Sequence, residues 1–260
     1  RLRAERRGEQ VRAAERHSDD FDDSDKQFKH TSDRLFAQWI CDEFGLERLR
    51  QTEVVDIAGG KGELAFELSV THDIPVTIID PATIRLSVYM RRRYTNLRRR
   101  GARLPADAEL HRKWRRAEAF VRLAEQEAAA AAANEKNADA GAGDYYEAAS
   151  ADGRMVRHYR REFWDESSVP QLPPNAVLLG MHSDEPTEPL IDAALRRGSG
   201  FAVVPCCVFP QLFPNRRLRG KPVVSYTELV EYLLKEKKGT RLAFLPFHGR
   251  NRVVYKHPER

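Results

Sequence analysis

The chain has 260 residues, 32% of them charged and 41% hydrophobic, with a formal net charge of +5. That length suits one α/β core with additions rather than two equal domains, and no apolar run approaches the ~18 residues of a membrane-spanning helix. Three cysteines, two of them adjacent, give no disulfide framework and point to a reducing, intracellular compartment.

Residues 1–27 read as a charged N-terminal arm: an Arg/Glu/Ala-rich stretch, then an acidic run over 19–25 that is expected to be solvated. The first residue is Arg1, so the chain reads as a trimmed or processed product. From Ser32-Asp33, the spacing of Leu35, Phe36, Trp39, Ile40 and Phe44 predicts an amphipathic helix stopped by Gly45. Phe28 and His30 precede it, as a hydrophobic staple or as cover for a pocket. Glu53-Val54-Val55-Asp56-Ile57 is a short β-branched strand. Ala58-Gly59-Gly60-Lys61-Gly62 then makes a tight turn into a helix carrying Leu64, Phe66 and Leu68.

Glycines are required where the backbone takes φ > 0 and a ligand comes close. The helix start beyond them offers unpaired N–H groups and a positive dipole end to an anionic group such as a carboxylate. Asp56 is placed to take a ligand's amine or hydroxyl. A second strand over 74–79 ends at Asp80, about twenty residues on, the spacing of an acid that accepts a ribose hydroxyl.

A helix expected from about Thr83 turns strongly basic. Between 91 and 122 stand twelve cations: Arg91, Arg92, Arg93, Arg98, Arg99, Arg100, Arg103, Arg112, Lys113, Arg115, Arg116 and Arg122. Only Asp107, Glu109 and Glu118 oppose them, and Tyr94 and Trp114 sit among them. Such a stripe is either a solvated helical face or the footprint of a phosphate backbone. Residues 128–143 fade from Ala-rich helix into low complexity. The segment 101–168 is therefore read as a basic, helical insertion standing where a third strand is expected, and that strand is not located.

The core resumes after the prolines of 170–174. A buried-type strand over 176–181 leads to His182-Ser183-Asp184, with Thr187 read as the cap of a helix running to Gly198. The strand over 201–204 closes on Cys206-Cys207, followed by a basic loop with Arg216 and Arg217. Ser225 and Glu228 form a capping box for the next helix, and two runs, 241–247 and 252–256, flank a hairpin turn at Gly249-Arg250-Asn251.

Alternating strands and helices predict a doubly wound, mostly parallel sheet with an antiparallel terminal hairpin. Asp56, Asp80, His182, Asp184 and Cys206-Cys207 all fall at strand carboxyl ends, where ligands bind such sheets. The Asp-x-Ala-x-Gly-x-Gly pattern of 56–62 resembles motif I of the class I S-adenosylmethionine-dependent methyltransferases, with Ala58 where the first glycine is usual. The Gly-Met-His-x-Asp-x-x-Thr-Glu and Val-Val-Pro-Cys-Cys stretches are similar to the branch that includes a tRNA 2′-O-methyltransferase family. Here Asp184 stands in place of a Cys, Thr187 is one residue closer to the His, and Val208-Phe209 follow the Cys pair.

The resemblance covers 28–80 and 176–256. It implies a Rossmann-like methyltransferase fold of seven strands, its halves at 28–100 and 169–260, with the last strand inserted between neighbours. It also implies S-adenosylmethionine as cofactor on Asp56, Ala58, Gly59, Gly60, Gly62 and Asp80. His182 is the candidate proton acceptor and Asp184 its orienting acid, with a loop-satisfying His and a helix cap as the plain alternatives. Cys206 and Cys207 are read as small apolar residues, with thiolate nucleophiles as the alternative, and adjacent cysteines lack zinc-site spacing, so no metal is expected. The activity expected is methylation of RNA, tRNA or rRNA, gripped by the basic segments. The alternative is a non-catalytic subunit or assembly factor of a ribonucleoprotein such as a mitochondrial ribosome, with a protein-methylating enzyme third, and a mitochondrial location is preferred to a cytoplasmic one.

Overall fold

Short strands buried on both faces form the middle of the molecule, seen here in a computed structural model that describes residues 29–104, 106–134, 144–160 and 175–259. The charged arm, Phe28, the stretch 135–143 and the prolines of 170–174 lie outside the described residues, as does the side chain of His30. No helix among the described residues is long and apolar enough to cross a membrane.

The described residues begin with α1 (Lys29–Phe44) and a short α2 (Leu46–Arg50), separated at Gly45, whose φ of 86° suits glycine. β1 (Val54–Ile57) leads through the glycine turn into α3 (Glu63–Phe66), which continues as a π-helical turn over Glu67–Thr71. β2 (Val76–Ile79) is followed by α4 (Val88–Arg103) and the long α5 (Ala108–Asn134). Then come β3 (Asp144–Ala149), β4 (Met155–Arg160), β5 (Val177–Met181), α6 (Thr187–Arg197) and β6 (Gly200–Val204). A small hairpin, β7 (Arg217–Leu218) and β8 (Lys221–Pro222), precedes α7 (Tyr226–Glu236), β9 (Arg241–Phe244) and β10 (Arg252–Lys256).

Eight strands form one sheet in the order β3-β4-β2-β1-β5-β6-β10-β9. β4, β2, β1, β5 and β6 run parallel, whereas β10 pairs antiparallel with both β6 and β9. This is the expected doubly wound architecture, with the terminal hairpin inserting its last strand between neighbours. It has one strand more than expected, because β3 adds an antiparallel edge against β4.

The strand missing from the sequence reading is β4. It lies inside 101–168, so that segment contributes to the sheet itself and is not merely an insertion. Only Val156 and His158 of β4 are buried, which is why Met-Val-Arg-His-Tyr-Arg does not read as a core strand. Two further boundaries differ. α4 begins at Val88, capped by the Ser87 hydroxyl on the Met90 N–H, not near Thr83. The N-cap of α6 is Pro186, and the Thr187 hydroxyl bonds Ser183 instead, at 3.0 Å.

The period of two along each strand separates two cores. Val54, Val76, Ile78, Val177, Leu179, Ala202 and Val204 face one layer with α1, α3, α4 and α5. Val55, Ile57, Ile79, Leu178, Phe201 and Val203 face the other with α6 and α7. A sheet covered on both faces reads as continuous β-branched runs, and it holds its strand ends rigidly. The turn after β1 lies where β1 is flanked by β2 and β5, the point at which the strand order reverses.

Candidate active site at the carboxyl ends of the strands

The turn after β1 uses its glycines for three different reasons. A Cβ on Gly59 would lie 2.7 Å from Asp56 Oδ2, so the carboxylate occupies the space beside its Cα. A Cβ on Gly62, at φ 77°, would meet Phe120 of α5 at 3.0 Å. Gly60, at φ 54°, has nothing within 4 Å of a Cβ and leaves open space above the backbone. Ala58 adopts φ 56°, the left-handed conformation a glycine would take at less cost. Its N–H bonds the Ile79 carbonyl at 2.8 Å.

Asp80 ties this turn to the end of β2. Its Oδ2 accepts the Gly60 N–H at 2.7 Å and its Oδ1 the Ala82 N–H at 2.7 Å. A carboxylate has about four acceptor sites, so room for further donors remains on each oxygen. Asp56 is the opposite case: 1% exposed, with neither carboxylate oxygen hydrogen-bonded. Burial pushes its carboxyl well above the ordinary aspartate range and Asp33 and Asp80 add to this, while the nearby Ala65 N–H, short of full hydrogen-bond geometry, opposes it.

Two residues that the sequence reading missed hold the segment after β2 in place. His158 of β4 and Glu127 of α5 are both fully buried, with Nδ1 and Oε1 2.6 Å apart. The other ring nitrogen, Nε2, lies 3.0 Å from the Asp80 carbonyl, and Glu127 Oε2 accepts the Ile84 N–H at 2.9 Å. A signal for Glu127 exists. Phe120, Leu123, Ala124 and Glu127 follow helical spacing on one buried face, and an acid on such a face needs a partner.

At the ends of β5 and β6, His182 and Asp184 take φ of 53° and 50°, and Phe209 takes 47°. Non-glycine residues in this region cost energy and cluster at functional sites. The His182 N–H bonds the Val204 carbonyl at 3.0 Å and joins the two strand ends. His182 is half-buried. The Asp184 carboxylate accepts the Cys206 thiol at 2.8 Å, and the Cys206 and Cys207 sulfurs are 3.5 Å apart. Burial and the adjacent Asp184 carboxylate push both thiols up, away from thiolate. Cys207 is exposed, so it does not act as the buried filler the sequence suggests.

The basic residues divide into two groups. Arg91, Arg92, Arg98, Arg99 and Arg100 of α4 are exposed, and among the described residues none of them forms a salt bridge. Arg93 donates to the Thr71 hydroxyl at 3.2 Å. On α5, Arg112 pairs with Glu109 at 2.9 Å and Arg115 with Glu118 at 2.9 Å, while Lys113 lies 3.7 Å from Glu109. Arg116 is 3% exposed and reaches Asp73 and Glu109 at 3.3 and 3.4 Å. Tyr94 and Trp114 pack against the core. Arg216 is buried on Glu188 at 2.6 Å and lies over Phe213, whereas Arg217 is exposed.

No protein-family model matches the chain, and no curated protein matches it. Solved structures do. A SAM-dependent methyltransferase from Aquifex aeolicus is 16% identical with a TM-score of 0.40, covering 91% of this chain and 98% of that one. The plantazolicin methyltransferase BpumL in complex with SAH is 11% identical with a TM-score of 0.40, covering 90% and 86%. A variant of MtNAS in complex with S-adenosylmethionine is 16% identical with a TM-score of 0.36, covering 97% and 72%. Such distant likenesses carry no statement about ligand or reaction.

Proposed function

We propose that the chain is an S-adenosylmethionine-dependent methyltransferase acting on RNA, tRNA or rRNA. The observation that carries this reading is the Gly60 N–H to Asp80 hydrogen bond, which joins the glycine turn to the end of β2 beside an unpartnered, buried Asp56. A nucleoside with an amino-acid arm suits that arrangement. Asp80 accepts ribose hydroxyls, the open face of Gly60 admits a close approach to backbone, and Asp56 meets an ammonium group that would restore its charge. Together with Ala58, Gly59 and Gly62, these residues would hold S-adenosylmethionine, which supplies an activated methyl group when bound.

Methyl transfer depends mostly on holding the acceptor in line. The ends of β5 and β6 would serve that purpose, and His182, just beyond β5, would take a proton from an acceptor hydroxyl or amine. The exposed arginines of α4 supply charge for a phosphate backbone.

Isothermal titration calorimetry with S-adenosylmethionine tests the reading. Micromolar binding is expected in the wild type and loss of binding in Gly60→Arg, with the melting temperature of that variant as a folding control. A wild-type chain that binds no S-adenosylmethionine would turn the assignment to a non-catalytic ribonucleoprotein subunit.

A further inference from the structure

We infer that Cys206, Cys207 and Asp184 form a binding site for a thiophilic divalent cation such as zinc, at the carboxyl ends of β5 and β6. One ligand atom from each lies within 4.8 Å of the others. Cys206 Sγ is 2.8 Å from Asp184 Oδ1 and 3.5 Å from Cys207 Sγ. A tetrahedral zinc with Zn–S distances of about 2.3 Å holds its two sulfurs a little under ~4 Å apart, so the thiol pair is already near the required spacing. Sulfur atoms at that separation are not disulfide-bonded, and both cysteines are free.

The site has a scaffold. Met181 pairs with Val204 in the parallel register of β5 and β6, which brings the residue three beyond one strand to the residues two and three beyond the other. The His182 N–H on Val204 and the Thr187 N–H on the Asp184 carbonyl, at 3.0 and 3.2 Å, fix the two strand ends. The missing Cys-x-x-Cys spacing is no obstacle, because the third ligand comes from the neighbouring strand. Binding exchanges the two thiol protons, released to solvent, for two metal–sulfur bonds, and the carboxylate completes three ligands. Three protein ligands with a fourth position open is the pattern of a catalytic rather than a structural zinc. If the methyltransferase reading holds, on which this last step rests, an acceptor atom in the fourth position would be polarised by the cation.

Titration of the full chain with cadmium, in a phosphine reductant that keeps the thiols from pairing, tests the site. Thiolate-to-metal charge-transfer absorption is expected to saturate at one equivalent. It should disappear in the Cys206→Ser/Cys207→Ser double variant and persist in Cys41→Ser, whose thiol is buried on α1. Asp184→Asn should bind at least about tenfold more weakly, since even outer-shell partners cost 10–100-fold. Absence of the band in the wild type, its persistence in the double variant, or unchanged affinity in Asp184→Asn would each overturn the assignment. Calorimetry with S-adenosylmethionine on the double variant separates the two claims, because the cysteines lie outside the proposed cofactor site and its binding should survive.

Discussion

Ala58 and Asp56, two residues apart, both stand in positions a fold optimised only for stability would avoid. One holds a left-handed backbone without being glycine. The other buries a carboxyl that has no hydrogen-bond partner, a penalty of about 1–3 kcal/mol. Such local violations mark functional sites, and Asp56 allows the point to be tested. Its folded-state carboxyl titrates well above the ordinary value of 3.8. Above that value the unfolded chain releases a proton the folded chain keeps, so this group lowers stability as pH rises toward its raised folded value. Asp56→Asn removes the titration. In urea denaturation the variant should gain on the wild type as pH rises from about 5 to 8, by on the order of 1–3 kcal/mol, while losing S-adenosylmethionine affinity. Parallel pH profiles for the two proteins would show that Asp56 is not the strained group.

At the scale of elements, what the sequence made legible follows from local chemistry. Ser225 and Glu228 cap α7 in the expected reciprocal manner, and the β-branched runs of β1, β2, β5 and β6 became central strands. Acids and cysteines were correctly placed at strand ends because strand ends follow from where those runs stop. β4 was hidden since half its residues are polar, and its buried His158 is satisfied by Glu127, 31 residues away, and by the Asp80 carbonyl, 78 residues away. Local periodicity holds no trace of those partnerships.

Breaking one side of a buried pair costs about 3–5 kcal/mol, while replacing both sides with apolar groups costs far less. Glu127→Ala should therefore destabilise strongly in chemical denaturation, and Glu127→Leu/His158→Phe should recover most of the loss. Ligand affinity should not recover, because Glu127→Ala frees the Ile84 N–H and releases His158, and the double variant also removes the His158 contact with the Asp80 carbonyl. Recovery of S-adenosylmethionine binding in the double variant would show that the pair stabilises the fold without positioning Asp80.

Across the whole molecule, the net charge of +5 says less than where the cations are free. Sequence order presents one basic stripe from 91 to 122, but folding splits it. The acids Glu109 and Glu118 neutralise much of α5, and Arg116 is spent holding Asp73 at the end of the π turn. The α4 arginines keep their charge for solvent or a partner. Electrostatic contact with a nucleic-acid backbone is read from its salt dependence, each neutralised phosphate adding about 0.7–0.9 to the slope of log affinity against log salt.

Reversing Arg98, Arg99 and Arg100 to Glu should weaken binding of a tRNA probe at every salt concentration and flatten that slope by about 2 to 3. Reversing Arg112 and Arg115, already paired, should change the slope by less per charge. The comparison guards against a trivial effect of net charge, since a long-range field would respond to both helices in proportion to the charges removed. Equal slopes for wild type and the α4 variant would take RNA out of the proposed substrate and leave the acceptor to be sought among smaller molecules or proteins.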